Sequence, residues 1–214
     1  MDLLGVYDVL FGEFGSQGWW PAESEFEMVV GAILTQCTSW GNVEKALDNL
    51  RGDALLSPEA LYKVDYDLLR RDIKPSGYFN AKAEKIKAFM DFLYNGFGGS
   101  LELLLSLPVP ELRERLLSIH GIGPETADSI ILYAAHKPSF VVDAYTRRIF
   151  SRLGLVDESI KYDDLKGFFE RNLPQDVELY NEYHALIVEL GKCYCRRSNP
   201  RCGECPLKLE CGLD

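Results

Sequence analysis

The chain contains the segment LLSIHGIGPETADSIILYAA, residues 116–135, in which a short glycine-containing turn separates two apolar stretches. Gly121 and Gly123 allow the backbone to take positive φ and to approach a partner closely. Pro124 suits the first position of a helix, because the N–H that proline lacks would have no intrahelical acceptor there. Apolar residues then recur at helical spacing, and Ile122 is placed to anchor the turn in the core. The segment therefore predicts two helices joined by a tight turn.

The same turn is a candidate anion site. Amides in the first turn of a helix have no intrahelical acceptor and carry the positive end of the helix dipole. The amides of Gly121, Gly123 and Glu125 are therefore candidates for binding a phosphate. By itself, however, a Gly-x-Gly between two helices is also compatible with an ordinary packing hairpin.

A carboxylate follows this hairpin, in the segment VVDAYTRR at residues 141–148. Together with GIGPETA, this segment resembles the helix-hairpin-helix and Gly/Pro…Asp signature of the endonuclease III superfamily of DNA glycosylases. The resemblance covers roughly residues 19–211. It implies that the hairpin amides bind DNA phosphates and that Asp143 is the catalytic carboxylate. Asp143 also fits the N-cap of the next helix, and the two roles are compatible because capping would fix the orientation of the carboxylate.

The fold predicted from the periodicity is all-α, since helical spacing recurs along the chain and strand alternation is scarce. The family architecture implies two helical domains with an interdomain active-site cleft, and Asp143 at its mouth. The first would be a six-helix domain over residues 27–137, ending in the helix-hairpin-helix at 116–136. The second would combine residues 1–26 with 138–214. Periodicity places helices at residues 1–15, 23–36, 145–153, 163–173 and 177–190, with others starting at Ser57, Asn80 and Val109.

The charge balance limits the partners only weakly. The formal net charge of -10 argues mildly against nucleic acid, because affinity for phosphates comes from Lys and Arg. Basic residues nevertheless gather at 147–152 and 192–201, and an acidic protein can still present one basic face. No apolar run approaches the length of a membrane span and Met1 is not followed by a basic leader. We therefore expect a cytoplasmic monomer that joins the nucleoid when it binds DNA.

Five of the six cysteines lie between residues 193 and 211. A disulfide framework is not expected in a cytoplasmic protein, and closely spaced thiolates are better explained by a metal centre. Four of them are separated by six, two and five residues, a spacing that resembles the [4Fe–4S] loop of endonuclease III relatives. A four-cysteine zinc site is the alternative. The predicted ligands are Cys195, Cys202, Cys205 and Cys211.

Two cysteines are left over. Cys193 is interpreted as a neighbour of the metal centre, and Cys37 as a small buried hydrophobic residue rather than a nucleophile. The cysteine loop also carries four basic residues, which indicate a basic DNA-facing surface rather than redox catalysis. These are Arg196, Arg197, Arg201 and Lys208.

The chemistry of the predicted reaction explains the need for a carboxylate. Breaking an N-glycosidic bond passes through an oxocarbenium-like sugar, which a carboxylate such as Asp143 stabilises while it orients water. Bifunctional members of the family carry a Schiff-base lysine two residues after the second glycine of the hairpin. That position is Glu125 here, which cannot form an imine, so we predict a monofunctional glycosylase. Lys82, Lys85 and Lys87 are interpreted as solvated charges.

Aromatic residues indicate the substrate. Trp19, Trp20 and Pro21 precede the first core helix, and Trp40 follows Gln36. A damaged base must leave the stack to react, and electron-rich rings suit a cationic alkylated purine through attraction of roughly 1–2 kcal/mol. Packing at a domain junction is the other interpretation of these tryptophans.

The segments WWP, LTQCTSW, KPSGYFNAKA and GIGPETADSIILYA together are similar to the 3-methyladenine DNA glycosylase III branch, from which the cysteine loop is a departure. That similarity implies a base pocket of Trp19, Trp20, Pro21 and Trp40. The residues expected to contact DNA are Gln36, Gly121, Gly123, Glu125, Arg147 and Arg197, with Gln36 entering the duplex in place of the extruded base. The family hairpin also binds a monovalent cation, Na+ or K+, through carbonyls that here belong to Leu117, Ile119 and Ile122.

The sequence thus predicts a monofunctional base-excision-repair glycosylase acting on double-stranded DNA. It would hydrolyse the N-glycosidic bond of alkylated purines such as 3-methyladenine and leave an abasic site. Such a base is already a good leaving group and needs no strong general acid, and none of the three histidines lies at an obvious acid position. The alternatives are an endonuclease III-like glycosylase for oxidised or mismatched pyrimidines and a non-catalytic DNA-binding protein.

Overall fold

The computed structural model describes residues 2–211, which form helices joined by turns and loops, with no strand among them. This confirms the predicted all-α fold. The α-helices are Leu3–Phe14 (α1), Glu25–Leu34 (α2), Trp40–Gly52 (α3), Pro58–Lys63 (α4), Tyr66–Ile73 (α5), Phe79–Phe97 (α6), Leu101–Ser106 (α7), Val109–Leu117 (α8), Pro124–Ser129 (α9), Ala144–Arg152 (α10), Tyr162–Asn172 (α11) and Val177–Cys193 (α12). Short 3₁₀ helices lie at Lys74–Ser76 and Cys202–Glu204, and a π-helix at Ile130–Ala134. None of the described helices has the length and apolarity needed to cross a bilayer.

The chain divides into two compact units. One is contiguous, Ala22–Lys137, and contains α2 to α9 with the π-helix. The other is split in sequence and combines Met1–Pro21 with Pro138–Asp214. We call them the contiguous unit and the split unit.

Side-chain caps determine where several helices begin. The Ser57 side chain accepts a hydrogen bond from the Ala60 amide, so the helix predicted to start at this serine does so. Ser24 caps α2 and Asp176 caps α12 in the same way, each accepting from the amide three residues on. Such caps satisfy amides that have no intrahelical acceptor, which is why the short local pattern at Ser57 predicted this helix start.

The predicted hairpin forms in the contiguous unit between α8 and α9. Ile122 anchors the turn with 5% exposure. Only one of the two glycines uses its conformational freedom: Gly121 has φ +81°, whereas Gly123 is extended with φ -93°. The helix that follows does not stay α-helical through Ala134, because it widens into a π-helix after Ser129, with an Ala135 N–H to Ile130 carbonyl bond of 3.0 Å. The residues of the π-helix are buried and pack against α2, and their apolar spacing does not distinguish it from an α-helix.

The lysines of α6 differ from the prediction. Lys82 is only 2% exposed, and its ammonium donates to the carbonyls of Leu34 at 2.8 Å and Ser76 at 2.6 Å. Burial lowers the pKa of Lys82. Lys87 donates to three carbonyls at the end of α4, and half-buried Lys85 donates to Gln36. The interpretation as solvated charges is therefore wrong for Lys82 and Lys87, since long cationic side chains can bond carbonyls that helix ends leave unsatisfied.

An aromatic cluster forms the core of the split unit. The Phe140 and Phe169 rings stack with centroids 4.1 Å apart, and Phe150 meets Phe169 edge-on at 4.7 Å. Tyr183 packs against Phe140 at 5.9 Å and donates its hydroxyl to the Leu3 carbonyl at 2.7 Å, which ties α1 to α12. Phe140 to Val142 have no regular secondary structure and lead into α10. They are buried in this core.

We expect Phe169→Ala to lower the free energy of unfolding by about 3–5 kcal/mol, because it opens a cavity in this fully buried cluster. Phe168→Ala, at the neighbouring half-exposed residue, is the matched control and should lower the free energy of unfolding by clearly less. Urea unfolding followed by circular dichroism measures both. Equal losses for the two variants would contradict the placement of the core.

Candidate active site

Asp143 lies at the N-cap of α10, as its sequence context predicted. Its Oδ1 accepts hydrogen bonds from the Thr146 amide at 2.8 Å and from the Thr146 hydroxyl at 2.9 Å. Thr146 is itself buried. The carboxylate orientation is thus fixed by the first turn of its own helix, leaving Oδ2 for another partner.

That partner comes from α12. The Nε2 atom of His184 lies 3.7 Å from Asp143 Oδ2. The two side chains are 7% and 12% exposed, so they form a nearly buried carboxylate–imidazole pair. α12 packs along α10, which brings together two residues that are far apart in the sequence.

The environment of Asp143 favours the charged form of the carboxylate. Burial by itself raises the pKa of Asp143, but the nearby His184 imidazole and the two hydrogen bonds from Thr146 lower it, and the lowering prevails. A carboxylate whose pKa lies below its ordinary value is fully ionised at neutral pH. Asp143 can therefore act there as a fixed negative charge or as an acceptor that orients water.

Trp19 joins this pair in the split unit. Its ring meets the His184 imidazole edge-on with centroids 5.8 Å apart, and the Lys192 ammonium lies 5.6 Å from the ring. Trp20 follows it through a cis peptide bond, with the two indole rings 5.6 Å apart. Pro21 is exposed at the end of this segment. The structure thus places three of the four predicted base-pocket residues on the unit that carries Asp143.

The fourth, Trp40, is the first residue of α3 in the contiguous unit, together with the predicted DNA-contacting hairpin. The Gln36 amide nitrogen donates to the Gly121 carbonyl at 3.2 Å and to the Thr126 hydroxyl at 3.0 Å. Within residues 2–211, the Gly121 and Gly123 amides donate to no backbone carbonyl. Both can therefore bind an external acceptor.

Of the predicted charged contacts, Glu125, Arg147 and Arg197 are all exposed at the surface. Two neighbouring arginines on α10 instead hold the cysteine loop. Arg148 donates to the Cys195 carbonyl at 2.9 Å, and Arg152 donates to the Arg196 carbonyl at 2.8 Å.

The cysteines predicted as ligands surround one cavity. It has a volume of about 350 Å³, and all four predicted ligands line it together with Arg152 and Lys208. Arg152 lies 3.3 Å from the Cys195 sulfur. Burial raises the pKa of the Cys205 thiol, and the nearby thiols of the other three raise it further. The lining cysteines are Cys195, Cys202, Cys205 and Cys211.

Within the described range 2–211, no three His, Cys, Asp or Glu side chains converge on a point as they would around a single metal ion. The four cysteines instead line one cavity. Each cysteine of a [4Fe–4S] cluster binds a different iron, so four soft sulfur donors around such a volume fit a cluster. Cys193 is outside the cavity lining and donates to Glu189 at 3.0 Å.

Comparison with known proteins identifies the family. Residues 30–175 match the HhH-GPD superfamily of base excision DNA repair proteins. This chain belongs to that superfamily. A Methanocaldococcus jannaschii protein that carries the name of a DNA repair glycosylase is 50% identical over 207 residues, covering 96% of this chain and 94% of the relative. Endonuclease III of Thermotoga maritima is 32% identical over 186 residues, covering 87% and 82%.

Solved HhH-GPD structures share the fold. The H. pylori 3-methyladenine DNA glycosylase bound to 1,N6-ethenoadenine aligns with a TM-score of 0.76 at 27% identity, covering 90% of this chain and 98% of that chain. A non-covalent endonuclease III–DNA complex aligns with a TM-score of 0.84 at 21% identity, covering 98% and 94%. The second likeness shows the fold alone. The resemblance stated from the sequence motifs is confirmed.

Two further residues of this HhH-GPD protein differ from their interpretation in the sequence. Cys37 is exposed with φ +56°, so the interpretation of this residue as a small buried hydrophobe is wrong. The sequence does not predict the contact between His184 and Asp143, because no local motif surrounds this histidine. Its position on the buried face of α12 could have raised the question, since a histidine there needs a polar partner.

We expect His184→Gln to raise the pKa of Asp143, because the variant removes the imidazole whose proximity lowers it. A carboxyl-carbon NMR titration measures this directly. The depressed pKa of Asp143 contributes stability that is present above the unfolded value of about 3.9 and is lost as pH falls through the folded pKa. In the variant, this loss should start at a higher pH.

Asp157 is the internal control for this titration. Its pKa is lowered by hydrogen bonds from Ser159, on an exposed loop, and should not change in His184→Gln. An Asp143 titration that is identical in both proteins would show that His184 does not act on the carboxylate.

Proposed function

We propose that this HhH-GPD protein is a monofunctional DNA glycosylase that removes alkylated purines, chiefly 3-methyladenine, from double-stranded DNA and leaves an abasic site. The observation that carries the proposal is the buried Asp143 carboxylate, oriented by Thr146 and held ionised beside His184. A DNA-binding protein without catalysis has no need of such a carboxylate.

The Asp143 geometry matches the charge that the reaction develops. As the N-glycosidic bond breaks, the sugar becomes oxocarbenium-like, and a fixed anion stabilises it without reorganisation. One carboxylate oxygen is occupied by Thr146, so the orientation is set before substrate binds. The other can accept a proton of the attacking water, and His184 helps to keep this oxygen unprotonated.

The absence of strand cleavage is proposed from the hairpin. Lyase chemistry of this family needs a lysine that forms an imine, and Glu125 stands at that position. Of the α6 lysines, Lys82 and Lys87 each donate to two or more carbonyls, and Lys85 donates to Gln36. A monofunctional reaction, with water as the nucleophile, follows.

The substrate class is supported by a structural relative. The H. pylori 3-methyladenine glycosylase, which covers nearly the same length, was solved with a modified adenine. We propose that Trp19, Trp20, Pro21 and Trp40 contact the extruded base. An alkylated purine carries a positive charge that aromatic rings attract. The Thermotoga maritima relative favours a second candidate substrate class, oxidised or mismatched pyrimidines.

DNA is proposed as the partner of the hairpin and of the exposed basic residues. The Gly121 and Gly123 amides would bind phosphate, and Gln36 would enter the duplex where the base has left. Arg147 and Arg197 would add phosphate contacts that depend on salt. The carbonyls of Leu117, Ile119 and Ile122 would hold the monovalent cation of the hairpin.

The cofactor is proposed to be a [4Fe–4S] cluster held by Cys195, Cys202, Cys205 and Cys211. Such a cluster links four points of a loop that has little helix of its own. The role proposed for it is structural, since it would order the basic loop that carries Arg197. Arg148 and Arg152 already bind the carbonyls of this loop, so α10 supports it from the side of Asp143.

We expect the wild-type protein to release 3-methyladenine from methylated duplex DNA and to leave alkali-labile but uncut abasic sites. Asp143→Asn should lower single-turnover release by at least about 10²-fold, the usual cost of removing one group that stabilises the transition state. Asn still caps a helix, so the variant should fold. Chromatography of the released bases and gel analysis of the strands measure both results.

Asp157→Asn, which neutralises an exposed carboxylate of the same unit, is the matched control and should retain wild-type release. Equal activity in Asp143→Asn and wild type would overturn the mechanism. Release of oxidised pyrimidines in place of 3-methyladenine would assign the second substrate class. Strand breaks or a borohydride-trapped covalent complex would overturn the monofunctional assignment.

We expect the purified protein to contain about four iron and four sulfide per chain, and Cys202→Ser to lose them. Cys193→Ser is the matched control, because this thiol bonds Glu189 outside the cavity lining, and should retain both. Elemental and sulfide analysis measures the content. A content of one zinc per chain would instead assign the four cysteines to a zinc site.

A further inference from the structure

We propose that Lys85 is a phosphate ligand of the hairpin in the DNA complex, and that Gln36 holds its ammonium in the free protein. This rests on the proposed binding of DNA by the hairpin. Lys85 belongs to α6, outside the hairpin sequence, and no local motif assigns it a role. The structure nevertheless packs it against the hairpin turn.

The position of Lys85 is set by Gly121. A Cβ atom at residue 121 would lie 2.3 Å from Lys85 Cγ, 2.8 Å from Cδ and 2.9 Å from Cε. The lysine stem therefore occupies the space that a side chain at this position would need. Glycine is required at position 121 for two reasons. The backbone has a positive φ, and the Lys85 stem packs where a Cβ atom would be. Gly123, by contrast, has no neighbour within 4 Å of a built Cβ.

The partner of the Lys85 ammonium is a neutral oxygen. Its Nζ donates to Gln36 Oε1, while the Gln36 amide nitrogen donates to Gly121 and Thr126. Gln36 thus links the lysine to the hairpin through both ends of its amide. The three groups form one small network on the turn that is proposed to meet DNA.

Lys85 has donors to spare. An ammonium carries three N–H groups, and in the described part of the chain the acceptor of this one is Gln36 Oε1. The neighbouring lysines differ, since Lys82 bonds two carbonyls and Lys87 bonds three. Lys85 is also half-buried rather than enclosed. It is therefore the α6 cation that an external anion can recruit.

The charge around the hairpin explains why a cation from α6 is useful. The hairpin itself carries Glu125 where bifunctional relatives have a lysine, and the whole chain has a net charge of -10. A phosphate that accepts from the Gly121 and Gly123 amides would bring further negative charge to this hairpin, which a nearby ammonium can offset. A hydrogen bond from an ammonium to an anionic oxygen is stronger than one to a neutral amide.

The network also suggests an order of events. If Gln36 enters the duplex, it must leave Gly121, Thr126 and Lys85. The lysine then loses its partner at the moment when phosphate is present on the hairpin. A phosphate oxygen would then replace the Gln36 oxygen as the acceptor of the Lys85 ammonium.

The test is the salt dependence of binding to undamaged duplex DNA by the full chain. Lys85→Met keeps the stem that packs on Gly121 and removes the charge. Loss of one phosphate contact should lower the slope of log K against log salt concentration by about 0.9. Affinity should fall most at low salt and equally for different sequences. Lys85→Arg should retain the wild-type slope.

Lys87→Met is the matched control, two residues along the same helix, and should retain the wild-type slope because its ammonium is bonded to carbonyls. Fluorescence anisotropy gives the slopes, and thermal unfolding shows that each variant is folded. A wild-type slope in folded Lys85→Met would overturn the proposal and leave Lys85 as a structural link to Gln36. The assay needs no base release, so failure of the proposed glycosylase activity would not affect its result.

Discussion

The need to satisfy backbone groups at helix ends shapes this HhH-GPD protein. Each helix leaves amides at its start and carbonyls at its end without intrahelical partners. Side chains supply many of the missing bonds here. Asp143 caps α10, Lys82 bonds the Leu34 carbonyl at the end of α2, and Lys87 bonds the end of α4. In an all-helical protein with many short helices, such bonds largely decide where the chain can turn.

The candidate active site is built on such a helix end, because its carboxylate, Asp143, is the cap of α10. The Thr146 amide that needs a cap also fixes the orientation of the Asp143 carboxylate, so one contact does both. In the hairpin, by contrast, amides at the start of a helix are left without a backbone acceptor. Its Gly121 and Gly123 amides donate to no backbone carbonyl within residues 2–211, and unsatisfied amides at a turn are what a phosphate requires.

Helix α10 connects the chemistry of the split unit. Its first residue follows Asp143, and its last turn carries Arg152, which contacts the Cys195 sulfur and the loop carbonyls. α12 lies beside it and brings His184 to the carboxylate. The aromatic cluster around Phe169 supports both helices. The carboxylate and the cysteine loop are thus parts of one packed body.

The sequence by itself determined the helical class, the hairpin, the Asp143 cap and the cysteine spacing. These depend on residues three or four positions apart or on a single turn, where local geometry decides the outcome. The π-helix and the roles of His184, Lys82 and Lys85 were decided by tertiary structure. Lys85 donates to Gln36, 49 positions away in the sequence. Lys82 donates to Leu34, 48 positions away. A polar side chain buried by packing takes whichever partner the neighbouring helix presents, and no short pattern records that choice.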